Sequence, residues 1–274
     1  MTYAEPQTKP LAVGCVSYLN ATPLIDGFAE ALPQTQLVLD VPAKQIDLLD
    51  AGRVDLALCP VIDYFRSPRE LRVVPVGGIG CVGPTQTVRL FSPVPPADIT
   101  HVHLDAESHT SVCLLRVILN DVYGVQPPVS VGLPKPTAPR QPGAARLLIG
   151  DKVVTHAPAQ ADFPYQIDLG DAWHRLTGQP FVFAVWLARH NASLANLPQA
   201  LAQLLEHNLK RIDTIAATHG PRHGWPVALA ADYLGNILHY RVGKPELDAI
   251  GRFAQRAATL NLIPPPARAL ITFP

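Results

Sequence analysis

The side chains able to do chemistry fall in three short segments, each at the end of an apolar run. Ser17-Tyr18-Leu19-Asn20 closes the run Leu11 to Tyr18, which reads as a buried strand. Ligands of open α/β sheets sit outside the carboxyl ends of strands, so Tyr18 and Asn20 are expected at a cleft mouth. Asn20 offers an amide donor and acceptor there. It is also a good N-cap for a helix over 21–31, and the two roles are compatible. The second segment, Asp105-Ala106-Glu107-Ser108-His109-Thr110-Ser111, precedes a helix over 111–123. Ser108, Thr110 and Ser111 bring three hydroxyls to that N-terminus, which makes either a neutral anion site or a generously capped helix. The third is Gly150-Asp151, where Asp151 either binds a ligand hydroxyl or caps the next helix.

Other chemistries find less support. Among ten histidines, His101 and His103 share one strand face, but no carboxylate or cysteine stands at metal spacing, so no metal is expected. G-x-S-x-G is absent, and with it a nucleophile elbow. Gly77-Gly78-Ile79-Gly80-Cys81-Val82-Gly83-Pro84 lacks both the G-x-G-x-x-G spacing and a Gly-Lys-Ser/Thr ending. It reads as a close backbone approach or a plain turn. Cys15, Cys59, Cys81 and Cys113 are far apart and read as small buried hydrophobes in a reducing compartment. Lys+Arg and Asp+Glu both count 22, so no basic field exists for nucleic acid or an anionic membrane. A small anion is still admissible, since helix N-termini and hydroxyls bind carboxylates without net charge. The first ten residues, MTYAEPQTKP, lack a secretory pattern, and no run of ~18 apolar residues occurs. A cytoplasmic location is the expectation, and no oligomeric state is readable.

These residues need a scaffold. With 274 residues and 48% hydrophobic content, a large core is available. Strands are expected at 36–41, 54–59, 71–76, 87–91, 102–105, near 129, at 147–150 and at 181–188, with helices over 42–51 and 111–123 and a helix-rich end from 194. That alternation argues for α/β sheets covered by helices. Ser92-Pro93-Val94-Pro95-Pro96 reads as a crossing into a second lobe and the strand at 181–188 as the return, giving lobes of 1–91 with 187–274 and of 92–186 around a cleft. The Pro-rich stretch 133–143 is expected to be an extended surface loop.

Several segments, in order from about residue 11 to 190, resemble the chorismate dehydratases of the futalosine route to menaquinone. They are Ser17-Tyr18-Leu19-Asn20 with Pro23-Leu24, Val54-Asp55-Leu56-Ala57-Leu58-Cys59-Pro60-Val61, and Gly80-Cys81-Val82-Gly83-Pro84 with Thr87. Further on come Thr110-Ser111-Val112, Leu147-Leu148-Ile149-Gly150-Asp151, Asp168-Leu169-Gly170 with Trp173, and Thr177-Gly178-Gln179-Pro180-Phe181-Val182-Phe183-Ala184-Val185-Trp186. The resemblance implies a two-lobed type II periplasmic-binding-protein fold, with a mixed sheet in each lobe and two crossing strands as hinge. It implies loss of water from chorismate to give 3-[(1-carboxyvinyl)oxy]benzoate, with no cofactor. Asn20 and Thr87 would act at the reacting carbons, Thr87 standing where the family often has Ser. Thr110 and Ser111 would hold a carboxylate, and His109 stands where the family usually has Arg. Tyr18, Ser108, Gly150, Asp151 and Phe181 complete the expected substrate contacts. Glu107, His109 and Asp151 are the only titratable candidates for a base, so the substrate's own enolpyruvyl carboxylate is expected to remove the ring proton. A solute-binding or sensing protein for a small carboxylate shares the fold, as does the dihydroxynaphthoate-forming enzyme of the same route. The latter carries a Ser-Pro-Cys-Pro-Asn type of motif that Ser17-Tyr18-Leu19-Asn20 does not match.

Overall fold

The computed structural model describes residues 10–134, 141–265 and 267–273. Eleven strands run through them: β1 (Ala12–Val16), β2 (Gln36–Asp40), β3 (Leu56–Pro60), β4 (Leu71–Cys81), β5 (Val88–Ser92), β6 (His101–Leu104), β7 (Val129–Val131), β8 (Ala144–Ile149), β9 (Tyr165–Asp168), β10 (Phe181–Arg189) and β11 (Leu238–His239). They form two sheets, ordered β11-β4-β10-β3-β1-β2 and β7-β6-β8-β5-β9. Both are mixed. In the first, β1 is parallel to β2 and β3, whereas β10 is antiparallel to β3 and β4. In the second, β6 is parallel to β7 and β8, and β5 antiparallel to β8 and β9.

All residues of β1 and β3 are buried, as strands covered on both faces must be. Ile46, Leu49, Ile62 and Phe253 pack on one side of the first sheet, within a core that continues through Leu90, Val102, Leu114 and Leu147 of the second lobe. Leu24, Leu201, Leu205, Ile215 and Trp225 belong to the core on the other side. The helix His109–Tyr123 touches both Val61–Arg66 and Lys244–Thr259, so the lobes share an apolar floor. Among the described residues no helix is long and apolar enough to cross a membrane. Residues 135–140 of the Pro-rich stretch lie outside the described residues.

The crossings fall at different places from those expected. β5 pairs with β8 and β9, so the chain enters the second lobe between Cys81 and Val88. It returns before β10, which lies in the first sheet along its whole length. Neither crossing is a strand. Ser92 begins a turn inside the second lobe instead, its hydroxyl donating to Val94 O at 2.7 Å. The Gly-rich stretch disguised this, because its first five residues, Gly77 to Cys81, continue β4 as strand and not loop. A Cβ at Gly78 would lie 2.7 Å from Ala184 O, and one at Gly80 2.7 Å from Phe181 O. The β4–β10 register slips twice along this stretch. One carboxylate ties the crossings together: Asp168 accepts from Thr85 N (3.0 Å) and Gln86 N (2.7 Å) while capping the helix Leu169–Thr177 through Gly170 N and Asp171 N.

Candidate active site

Between the lobes lies a narrow pocket with a cavity volume of about 50 Å³. Of the predicted residues, Tyr18, Asn20, Thr87, Ser108, Ser111 and Gly150 line it, together with Thr85, Phe183 and Tyr233. None of its lining residues carries a formal charge.

Asn20 reaches the pocket because it is not a cap. The helix expected over 21–31 is broken into a 3-10 turn, Leu19–Ala21, and two short helices, Thr22–Ile25 and Phe28–Ala31. Tyr18, not Asn20, takes the cap position, without a side-chain bond. The Asn20 amide is therefore spared for other contacts. It lines the pocket together with Tyr233, and its Oδ1 is buried without a partner. An acceptor left unpaired in a pocket wall costs stability unless a ligand or water completes it.

Thr87 precedes β5 and is 2% exposed. Its carbonyl accepts from Gly150 N (2.8 Å), and its Oγ1 lies 2.6 Å from the Tyr233 hydroxyl. Tyr233 starts a π-helical turn, Tyr233–Ile237, and its ring stacks on Trp225 with centroids 4.7 Å apart and planes at 24°. Burial raises the phenol well above its ordinary pKa, so it stays protonated. Tyr233 and Trp225 escaped the sequence reading, since no local pattern links a tyrosine to a threonine 146 positions away.

The helix N-terminus splits its three hydroxyls between two tasks. Ser108 is a true N-cap, its Oγ accepting from Ser111 N (3.2 Å) and lying 2.9 Å from Ser111 Oγ. Ser108 and Ser111 face the pocket. Thr110, fully buried, accepts from Ile62 N (3.2 Å) of the first lobe and does not line it. His109 also turns to the first lobe, with Nδ1 2.8 Å from Asp63 Oδ1. Burial raises the Asp63 carboxyl against the lowering influence of His109.

Asp151 caps nothing, contrary to that alternative: the helix Lys152–Thr155 has no side-chain cap. Its carboxylate instead accepts from three first-lobe donors, Trp225 Nε1 (2.9 Å), His223 Nδ1 (2.8 Å) and Leu19 N (3.3 Å). Beside it, Lys152 Nζ bridges Asp105 (2.7 Å) and Glu107 (2.6 Å), and the Tyr18 hydroxyl donates to Glu107 across the cleft. Burial opposes ionisation of Glu107, but hydrogen bonds from Lys152 and Tyr18 outweigh it and hold its carboxyl below the usual value. The Tyr18 phenol is correspondingly raised, by burial first and by Glu107 second. Gly150 has φ +65°, and a Cβ there would meet the Tyr18 ring at 3.0 Å, so glycine is required twice over. Phe181 packs with Trp173, Phe183 and Phe253 and is 2% exposed, away from the pocket; Phe183, two residues on, lines it. Among the described residues no cluster of three or more His, Cys, Asp or Glu could hold a metal ion.

Residues 11–259 match a family model described as menaquinone biosynthesis. A chorismate dehydratase of Thermus thermophilus is 27% identical over 275 residues, spanning 90% of this chain and 95% of that protein. A solved protein of Archaeoglobus fulgidus superposes with TM-score 0.71 at 13% identity, over 94% of this chain and 100% of that one. The periplasmic aliphatic sulphonate binding protein of Escherichia coli gives 0.64 at 17% identity, over 94% and 89%. A Candida albicans protein described as having the generic periplasmic binding protein fold gives 0.65 at 11%, over 94% and 92%. At such identities the structural likenesses establish the fold, and it is the periplasmic-binding-protein fold.

Proposed function

Because this chain belongs to the menaquinone-biosynthesis family, matched from residue 11 to 259, we infer that it is a chorismate dehydratase forming 3-[(1-carboxyvinyl)oxy]benzoate. Within the structure, the observation that carries this reading is the convergence of Asn20, Thr87, Ser108 and Ser111, from three separate segments, on one uncharged pocket. The reaction breaks the ring C3–H bond, and its electron pair becomes the C3–C4 π bond. The C4 hydroxyl departs with that proton as water, and aromatisation drives the step.

Ser108 and Ser111, with the N-terminus of the helix His109–Tyr123, hold one carboxylate through hydroxyls and backbone N–H groups. Asn20 and Thr87 address the reacting carbons from the opposite side. The protein offers no free base beside them among the described residues. Glu107 is engaged by Lys152 and Tyr18, Asp151 by His223 and Trp225, and His109 by Asp63. That supports removal of the ring proton by the substrate's own enolpyruvyl carboxylate, the pocket supplying orientation, an effect able to contribute several kcal/mol.

Incubating purified protein with chorismate, followed by absorbance and mass, tests the reading. The expected result is an aromatic product lighter than chorismate by one water. Bound but unchanged chorismate would establish a solute-binding protein instead.

A further inference from the structure

We propose that Asp168 is a positioning residue for the pocket: its carboxylate holds the strained turn Thr85-Gln86-Thr87 and through it sets where the two threonine side chains stand. This rests on the dehydratase reading above and gives a role to a residue that does not itself line the pocket.

Thr85 and Thr87 both line the pocket and are 1% and 2% exposed. Between them the chain makes a three-residue turn, closed by Thr87 N donating to Thr85 O at 2.7 Å. Its middle residue, Gln86, has φ +61°. A turn of this span with a positive central φ is the strained kind of γ-turn. A residue other than glycine keeps such a conformation only where its surroundings impose it. Asp168 imposes it here. Oδ2 accepts from Gln86 N at 2.7 Å and Oδ1 from Thr85 N at 3.0 Å, so two successive peptide groups of the turn are fixed. The carboxylate is itself anchored, since Oδ1 caps the helix Leu169–Thr177 through Gly170 N (3.0 Å) and Asp171 N (3.2 Å). Gly170 permits the close approach: a Cβ there would lie 2.6 Å from Gly83 O and 3.2 Å from Thr85 Cβ. Capping needs only one oxygen, and serine or asparagine would serve the helix as well. The second oxygen is taken up by Gln86 N–H, with Arg89 Nη2 3.9 Å away.

Asp168→Asn separates the two duties. Asparagine caps a helix as well as aspartate does, but its NH2 group would face the Gln86 N–H, donor against donor. Its kcat on chorismate is expected to fall about 10- to 100-fold with KM within about 3-fold of wild type, since the loss lies in the alignment of Thr87. Gln86→Gly removes the strain, because glycine holds a positive φ freely. Added to Asp168→Asn, it is expected to bring kcat back to within about 3-fold of the Gln86→Gly single variant. A helix cap alone would leave kcat unmoved by Asp168→Asn, and general damage to the fold would not be mended from position 86. Should Asp168→Asn not fold, Gln86→Val keeps the carboxylate and strains the turn alone, since β-branched residues resist a positive φ, and a fall in kcat of about 10-fold is expected. Wild-type kcat in either folded variant, or a double variant no faster than Asp168→Asn, overturns the proposal while leaving the dehydratase reading intact. Folded wild-type protein that leaves chorismate unchanged overturns both.

Discussion

Asn20 owes its place in the site to a helix that fails to form. Had the segment 21–31 been continuous, its amide would have been used at the N-terminus; the 3-10 turn that starts at Leu19 moves the cap to Tyr18 and leaves the Asn20 side chain in the pocket wall with Oδ1 buried and unpaired. Asn20→Ala deletes this acceptor at little cost to folding. Its kcat on chorismate is expected to fall about 100-fold or more, by analogy with removal of a single oriented polar group from an active site. Steady-state kinetics on protein of wild-type melting temperature is the check, and unchanged turnover would remove Asn20 from the mechanism. Asn20, Thr87 and the serines were legible because strand ends and helix starts announce themselves in composition. Lys152 and Tyr233 were not, because a lysine between two carboxylates and a phenol against a threonine hydroxyl exist only once distant segments meet.

At the scale of elements, the segment from β6 into the helix His109–Tyr123 carries the electrostatics. Lys152 ties Asp105 and Glu107 together, and Tyr18 adds the first lobe to the group. Glu107 has a carboxyl held below its ordinary 4.5 in the folded protein. The unfolded chain therefore binds its proton more readily, so the stabilisation is complete above about pH 4.5 and is lost as pH falls through the lower folded value. Thermal melting from neutral pH to below that range should show the wild type losing stability more steeply than Glu107→Gln; parallel curves would contradict the assignment. Most strands and the long helices were readable from runs of apolar residues. The displaced crossing has a physical cause: glycines inside β4 look like a turn in one dimension, whereas the neighbouring carbonyls of Ala184 and Phe181 require them in a strand.

For the whole molecule, closure is written into the protein itself. Tyr18 to Glu107, Ile62 to Thr110, Asp63 to His109, and Leu19, His223 and Trp225 to Asp151 all span the two lobes. Asp151→Ala strands three donors at once. It should lower stability by about 1–3 kcal/mol, increase the radius of gyration of the substrate-free protein in solution scattering, and raise KM more than it lowers kcat. An unchanged radius together with unchanged KM would show that Asp151 does not latch the cleft. The uncharged lining of the pocket governs events before any of this chemistry begins. No cation lines the pocket, so lining charges do not draw a dianion into it, and its capture should depend on ionic strength less than that of an enzyme that draws its substrate in with lysines and arginines. Traffic through the site is then regulated by outline and bond direction, and metabolites of equal charge but different shape are turned away at contact and not at a distance.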